Sequence, residues 1–161
     1  MKLPTPLKAP PVTYDVVCVG PDGREKWRER VSNLVTTEGK TDIIGKYFKG
    51  SAYTAAHYLL LAGTGAKAAA DTLASHAAWA EVTPYAGNRP AITWGSVTAG
   101  SLPATGATSF SINATATVAG AGIATVNSGT TGVLYSISDF SAPRAVASGD
   151  TLNVTPTVSA T

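Results

Sequence analysis

Phe110, Ile112, Ala114, Ala116 and Val118 recur at every second position, opposite Ser111, Asn113, Thr115 and Thr117. Successive side chains of a strand point to opposite faces, so this pattern requires a sheet with one buried and one solvated face. Leu152, Val154 and Val158 repeat the pattern, with Pro156 in the same register. Proline offers no N–H to a ladder, so this second strand is expected at a sheet edge or a bulge. Short runs rich in Thr, Val and Ile alternate with Gly/Ser/Thr/Asn breaks over 91–97, 109–119, 122–126, 133–138 and 151–158. Short strands at this spacing predict a mainly β fold, an antiparallel β-sandwich or jelly roll with one or two short helices.

Charge separates this region from the rest. Of 22 charged residues, 15 lie in residues 1–50, and only Asp139, Arg144 and Asp150 lie in residues 95–161. In that 67-residue tail, Ala, Gly, Ser, Thr and Val fill 49 positions. The chain, at 161 residues and 44% hydrophobic, is long and apolar enough for one packed core, and its net charge of +2 is too small for a disordered chain. Nor does it carry a basic stripe of the kind nucleic acid requires. No run of 18 apolar residues is present, so no helical membrane span is expected. The first residues carry prolines where a signal peptide needs an unbroken apolar helix, so folding in the cytoplasm is expected.

Residues 1–12 read as an extended proline-rich arm, with Pro4, Pro6, Pro10 and Pro11. Residues 13–161 read as a single β-rich domain. Its first strand is expected at Tyr14–Val19, closed by the turn Gly20-Pro21-Asp22-Gly23. Cys18 lies in that apolar run and reads as a small buried hydrophobe. Arg24–Arg30 mixes charge signs around Trp27. An RNA-gripping strand is one reading, but Glu25 and Glu29 cut the positive charge, which favours a solvated strand with Trp27 turned inward.

Ile43, Ile44, Tyr47 and Phe48 fall on one face of a short helix, with Thr41 as its cap, Asp42 in its first turn and Gly50 as its stop. Ala52–Ala62 reads as a buried strand. Alanines after Asp71 predict a second short helix reaching Trp79, followed by a loop over 83–90.

Catalytic equipment is scarce. An enzyme needs a nucleophile or an acid/base group held by an orienting partner. His57 lies in an apolar strand pattern, which favours a core or interface role. His76 stands five residues from both Asp71 and Glu81, a spacing that puts them on different helical faces and argues against a metal site. Gly120-Ala121-Gly122 has Thr125 where a dinucleotide loop needs its third glycine. The sequons at Asn113 and Asn153 read as polar strand faces. Asp139 and Asp150 lie beside turn formers. No catalytic, metal-binding or cofactor-binding residue is therefore assigned, and the chain is not expected to be an enzyme.

From about residue 33 onward, the sequence resembles a group of small tailed-bacteriophage structural proteins. The matching stretches are Asn33–Gly39, Asp71–Val82, Tyr85–Pro90, Thr131–Ser136, Phe140–Arg144 and Gly149–Thr155. They hold a Trp-x-Glu step (Trp79, Glu81), a Tyr…Arg-Pro loop (Tyr85, Arg89, Pro90) and a terminal Gly-Asp-Thr-Leu strand. Members of the group look like head, decoration or tail-associated components of the virion. The resemblance does not cover the first 30 residues.

The resemblance implies a virion component assembled in the host cytoplasm: first a capsid decoration (cement) protein stabilising the head between major capsid subunits, second a tail, neck or fibre-base component. Its partners would be the major capsid protein and copies of itself, as a dimer or trimer, with no nucleic acid and no membrane. Lys2, Pro4, Pro6, Lys8, Pro10 and Pro11 are the residues expected to reach a neighbouring subunit, the two lysines meeting acidic groups. Trp79, Glu81, Arg89 and Asp150 have structural roles: Trp79 beneath the second helix, Arg89 forked onto Glu81, and Asp150 fixing its own turn. A carbohydrate-binding β-sandwich is a further alternative, because Tyr14, Trp27, Tyr47, Tyr53, Tyr58, Trp79, Tyr85 and Trp94 include candidates for a sugar platform.

Overall fold

The computed structural model describes residues 10–160. In chain order the elements are β1 (Val12–Val19), β2 (Glu25–Ser32), β3 (Leu34–Val35), α1 (Thr37–Tyr47), β4 (Tyr58–Ala62), β5 (Ser101–Pro103), β6 (Thr108–Ser111), β7 (Ala116–Val118), β8 (Gly120–Ala124), β9 (Leu134–Ile137), β10 (Arg144–Val146) and β11 (Thr151–Ser159). The fold is mainly β, antiparallel and sandwich-like, with one helix among the described residues. The first sheet runs β2-β1-β11, and β11 then pairs both β5 and β6. The second runs β3-β9-β8-β4, and β10 with β7 forms a small ribbon.

β1 alternates as expected: Val12, Tyr14, Val16 and Cys18 are buried and their neighbours half-buried. With Leu152, Val154 and Phe110 they meet Leu59, Leu61, Ala121 and Ile123 of the second sheet in one core. The Tyr14 and Ser136 hydroxyls are 2.6 Å apart within it, joining the two sheets. The other face of the second sheet is buried too. There Leu60, Ala62, Ala124, Leu134 and Ile137 pack with Leu73 and Trp79 from the segment after β4.

The second sheet needs small residues where its strands crowd. A Cβ on Gly122 would stand 2.6 Å from the Ser136 carbonyl oxygen and 2.9 Å from Ile137 Cδ1, so this strand position excludes a larger residue. β9 carries a bulge: Ser136 opposes Ile123, while Leu134 opposes Ala124 and leaves Tyr135 as the extra residue.

Several expectations change. Pro156 is neither on an edge strand nor in a bulge: β11 is central. Its carbonyl accepts from Ala104 N on the β5/β6 side, and its ladder position falls between Val154, opposite Thr108 of β6, and Thr157, opposite Pro103 of β5. The missing N–H thus coincides with a change of partner strand. The 109–119 alternation splits into β6 and β7, with Ala114 exposed, because the chain leaves β11 after Ile112 and β7 pairs β10 instead. Only Tyr58–Ala62 of the expected 52–62 strand is a strand, its length matched to the five residues of β8. Residues 91–97 make isolated bridges at Ala91 and Trp94 only. β1 begins at Val12, which is fully buried, so the boundary between arm and body lies before it rather than after it.

The helix expected over 71–79 is absent. Its backbone and capping groups have other partners: Leu73 N donates to Glu38, Thr72 and Ser75 pair with each other, and Asp71 accepts from Ala68 N. Helix α1 begins five residues earlier than expected from a Thr41 cap. Thr36 is the N-cap and accepts from Gly39 N at 2.9 Å, while the Thr41 hydroxyl donates to the Thr37 carbonyl. No described helix is long and apolar enough to cross a membrane.

Candidate functional site

The start of α1 is anchored to the β9 bulge. The Thr36 hydroxyl donates to the Leu134 carbonyl, and Thr36 N donates to the Tyr135 carbonyl at 3.2 Å. Gly39 lies so close to Tyr135 that a Cβ there would collide with its carbonyl. Glu38 accepts from Leu134 N at 2.7 Å and from Leu73 N at 3.0 Å. The first turn is therefore fixed to the second sheet.

The far end of α1 is not covered. Ile43 packs against the core, but Ile44 is exposed, and Tyr47 and Phe48 are 80% and 78% exposed. The spacing that puts Ile43, Ile44, Tyr47 and Phe48 on one helix face does not make that face core-facing. Anchoring through the first turn sets the helix rotation and turns three of the four outward. Tyr47 and Phe48 meet edge to face at 4.9 Å, and Tyr53 from the following loop is half exposed. Scattered exposed hydrophobes are ordinary, whereas a cluster of large ones marks an interaction surface.

Beside this cluster is a groove of about 260 Å³, walled by Ile43, Tyr47, Tyr53, His57 and Tyr135. Lys46 lies 4.6 Å above the Tyr53 ring and pairs with Asp42 at 2.7 Å. Trp94 Nε1 donates to His57 Nδ1 at 3.1 Å. Burial, reinforced by the Lys46 charge, holds the imidazole below its usual pKa. Its neutral form therefore carries its proton on Nε2. Burial pushes the Tyr135 hydroxyl up to about 12, so it is a neutral donor. It donates to the Pro10 carbonyl at 3.4 Å.

Pro10 and Pro11 thus lie against their own body: the Pro11 carbonyl accepts from Ser159 N at 3.0 Å. Lys2, Pro4, Pro6 and Lys8 lie outside the described residues.

The four structural candidates are separate from this face. Trp79 is buried against Leu60, Leu73 and Leu134, under a loop rather than a helix. Its indole donates to Asp71 at 2.8 Å and stacks on His76 at 4.0 Å. Arg89 is buried and forks onto Glu81 at 2.8 and 2.6 Å, while its Nη1 donates to the Val126 and Gly129 carbonyls. The pair joins the 81–90 loop to the loop after β8. Tyr85 lies beside it, its buried hydroxyl unpaired among the described residues and pushed up to about 12, by burial first and then by the Glu81 charge. Arg89 spends its fork on protein groups, so the arrangement is a staple rather than an anion site.

Asp150 accepts from Ala147 N at 2.9 Å, within its own turn, and from Lys26 at 2.7 Å. Burial alone would raise its carboxyl, but Lys26 and the Ala147 amide outweigh that and hold it below the usual range. Burial, helped by the Asp150 charge, pushes the neighbouring Cys18 thiol up to about 11. Lys26 belongs to β2, an edge strand with five charged residues out of eight. Arg28 pairs with Glu25, Arg30 with Asp15, and Arg144 with Glu29. Charges on an edge strand discourage pairing with another chain.

Sequence reasoning missed the exposed face itself. The one available signal was the presence of three aromatics and an Ile within 44–53, and helical spacing does not say which way a shared face points. No family model matches the chain, and neither the curated proteins nor the solved structures contain a match.

Proposed function

We propose that the protein is a non-catalytic assembly subunit: a virion structural protein of a tailed phage, acting as a capsid decoration (cement) protein. The observation that carries this reading is the exposed aromatic face at the end of α1, beside the root of the proline arm. It stands on a body whose edge strand β2 carries five charges in eight residues. The mechanism is mass action: a subunit that binds the assembled shell and not its separated parts stabilises the shell. The major capsid protein takes the aromatic face, and copies of the subunit associate as a dimer or trimer on the lattice. The protein then resides in the virion, assembled in the host cytoplasm. A tail, neck or fibre-base position is the second virion reading. Symmetry separates the two, since copy number follows the capsid lattice in one and the tail axis in the other.

The test is co-sedimentation with heads lacking the protein, followed by particle melting. Wild type is expected to co-sediment and raise the melting point, and the double variant Tyr47→Ala, Phe48→Ala to do neither. Equal binding and equal melting for both proteins would remove the face from the mechanism. Absence of the protein from purified particles would remove the virion reading altogether. The exposed Tyr47 and Tyr53 also support a carbohydrate-binding reading, which a glycan array without hits would dispose of.

A further inference from the structure

We propose that the cavity between the 81–90 loop and the loop after β8 binds a neutral polyhydroxylated ring, a monosaccharide unit or a cyclic polyol, with the Tyr85 hydroxyl as a donor in its wall. The inference goes beyond the virion reading, stands without it, and uses no residue of the aromatic face at the end of α1. The cavity holds about 340 Å³, inside the range of roughly 300–1,000 Å³ of small-molecule sites. Its wall joins Glu81, Tyr85 and Arg89 to Thr83, Asn88 and Asn127. A Cβ on Gly87 or Gly129 would meet nothing within 4 Å, so both glycines of the wall border open space.

Both loops are held in place by the protein itself. Arg89 N donates to the Asn127 carbonyl at 2.9 Å, and Arg89 Nη1 donates to the Val126 and Gly129 carbonyls at 3.0 and 3.1 Å. Tyr85 is fixed from the core side. It bridges to Ile112, and its ring meets Phe110 edge to face at 4.9 Å. A wall fixed in advance loses little freedom when a ligand enters.

The chemistry of the wall sets the ligand class. Glu81 and Arg89 are its charged residues, and they neutralise each other through bonds of 2.8 and 2.6 Å. The wall therefore selects neither an anion nor a cation. What it leaves over is hydroxyl and amide groups. Asn127 Oδ1 accepts from Ser128 at 3.2 Å, which leaves the Asn127 NH₂ group as a donor. Thr83 and Asn88 are exposed at the rim, their side chains unbonded among the described residues. Tyr85 is only 8% exposed, and its hydroxyl has no partner among the described residues. Burial keeps this phenol neutral, so it has a proton to offer. An unmet buried donor is costly, and a ligand oxygen in the cavity removes that cost. A polyhydroxylated ring suits such a set, because every hydroxyl donates and accepts at once. An apolar ligand would leave the same groups unpaired.

The test follows the backbone amide signals of the full chain by NMR during titration with glucose, mannose, galactose and myo-inositol at millimolar concentration. Sodium acetate and methylammonium chloride are the charged controls. Shifts confined to 81–90 and 126–129 are expected with at least one neutral ring and with neither control. The hexose and inositol arms separate a sugar from a cyclic polyol. Tyr85→Phe is expected to weaken that ligand roughly 3- to 10-fold, while its thermal midpoint holds or rises because the orphan hydroxyl is gone. If Tyr85→Phe does not fold, Asn127→Ala carries the comparison. No shift with any neutral ring, or equal shifts with the charged controls, overturns the proposal. Unchanged affinity in Tyr85→Phe overturns the role of the hydroxyl. Shifts over 43–57 instead overturn this site and support the carbohydrate reading at Tyr47 and Tyr53.

Discussion

The two sheets share one core but solve different problems. The first alternates, with β1 and β11 each presenting one buried and one half-buried row. The second is buried on both faces: every residue of β8 and β9, and all of β4 after Tyr58, is buried. Its outer face is covered by the loop after β4, through Leu73 and Trp79, and not by another regular element. A loop serving as a layer must satisfy its own backbone and side-chain groups. Here it does so with a few half-buried polar residues. Asp71 takes the Trp79 indole, Lys67 donates to the Gly63 and Gly65 carbonyls at 2.7 and 2.9 Å, and Glu38 reaches across from α1. Sheet regularity and cover regularity are therefore independent.

This contrast breaks most sharply at the staple that holds the covering loops. Glu81→Ala leaves the buried Arg89 cation without its carboxylate, and a loss of about 3–5 kcal/mol in urea unfolding is expected. The double replacement Glu81→Met, Arg89→Met is expected to cost less than either single change, because no uncompensated charge remains. Next comes Leu60→Ala, on the outer face of the second sheet, with an expected loss of about 2–5 kcal/mol. Thr155→Ala, on the outer face of the first sheet, is expected to stay within about 0.5 kcal/mol. Equal costs at the two positions would show that the loop layer is not a packed cover.

The same contrast explains what was legible in the sequence. β1 and β11 were legible because one solvated face forces a period of two on their residues. The second sheet left no such period: Leu59-Leu60-Leu61-Ala62 and Gly120–Ala124 read only as apolar or small runs, with boundaries set by pairing rather than pattern. Pro156 misled for a related reason, since a change of partner strand is invisible along a single chain. The Arg89–Glu81 fork could be anticipated because eight residues separate the two. The Asp150 turn was also local, but Lys26, its other partner, lies 124 residues away. The exposure of the aromatic face was not legible because helical spacing records which residues share a face, whereas the rotation of α1 is set by Thr36, Gly39 and the Tyr135 bulge.

A smaller effect tests how the sheets are joined. Tyr14→Phe leaves the Ser136 hydroxyl buried without its 2.6 Å partner, and a loss of about 1–3 kcal/mol is expected. Adding Ser136→Ala removes the orphan and is expected to recover most of that loss. Chemical unfolding of the two single variants and the double measures the coupling directly. Simple additivity would show that the hydroxyls do not act as a pair.

The smallest expected effect separates the sheets by acidity. Titratable groups of the first sheet are displaced from the neutral range: burial pushes Cys18 up to about 11, and Asp150 and Glu29 are held below the usual carboxylate range. His57, at the entry to β4, is different. Its folded pKa is depressed by burial and by Lys46 below the unfolded value of about 6.5. A base with a depressed folded pKa contributes stability that is fully present above the unfolded pKa and is lost as pH falls through the folded one. Protonation also removes Nδ1 as the acceptor for Trp94, so the groove wall and the start of β4 should loosen together. Urea midpoints are therefore expected to fall between about pH 7 and pH 5 in the wild type and to stay flatter in His57→Gln. An equal fall in both proteins would place the titration elsewhere, and would show that the second sheet, like the first, is electrostatically silent in this range.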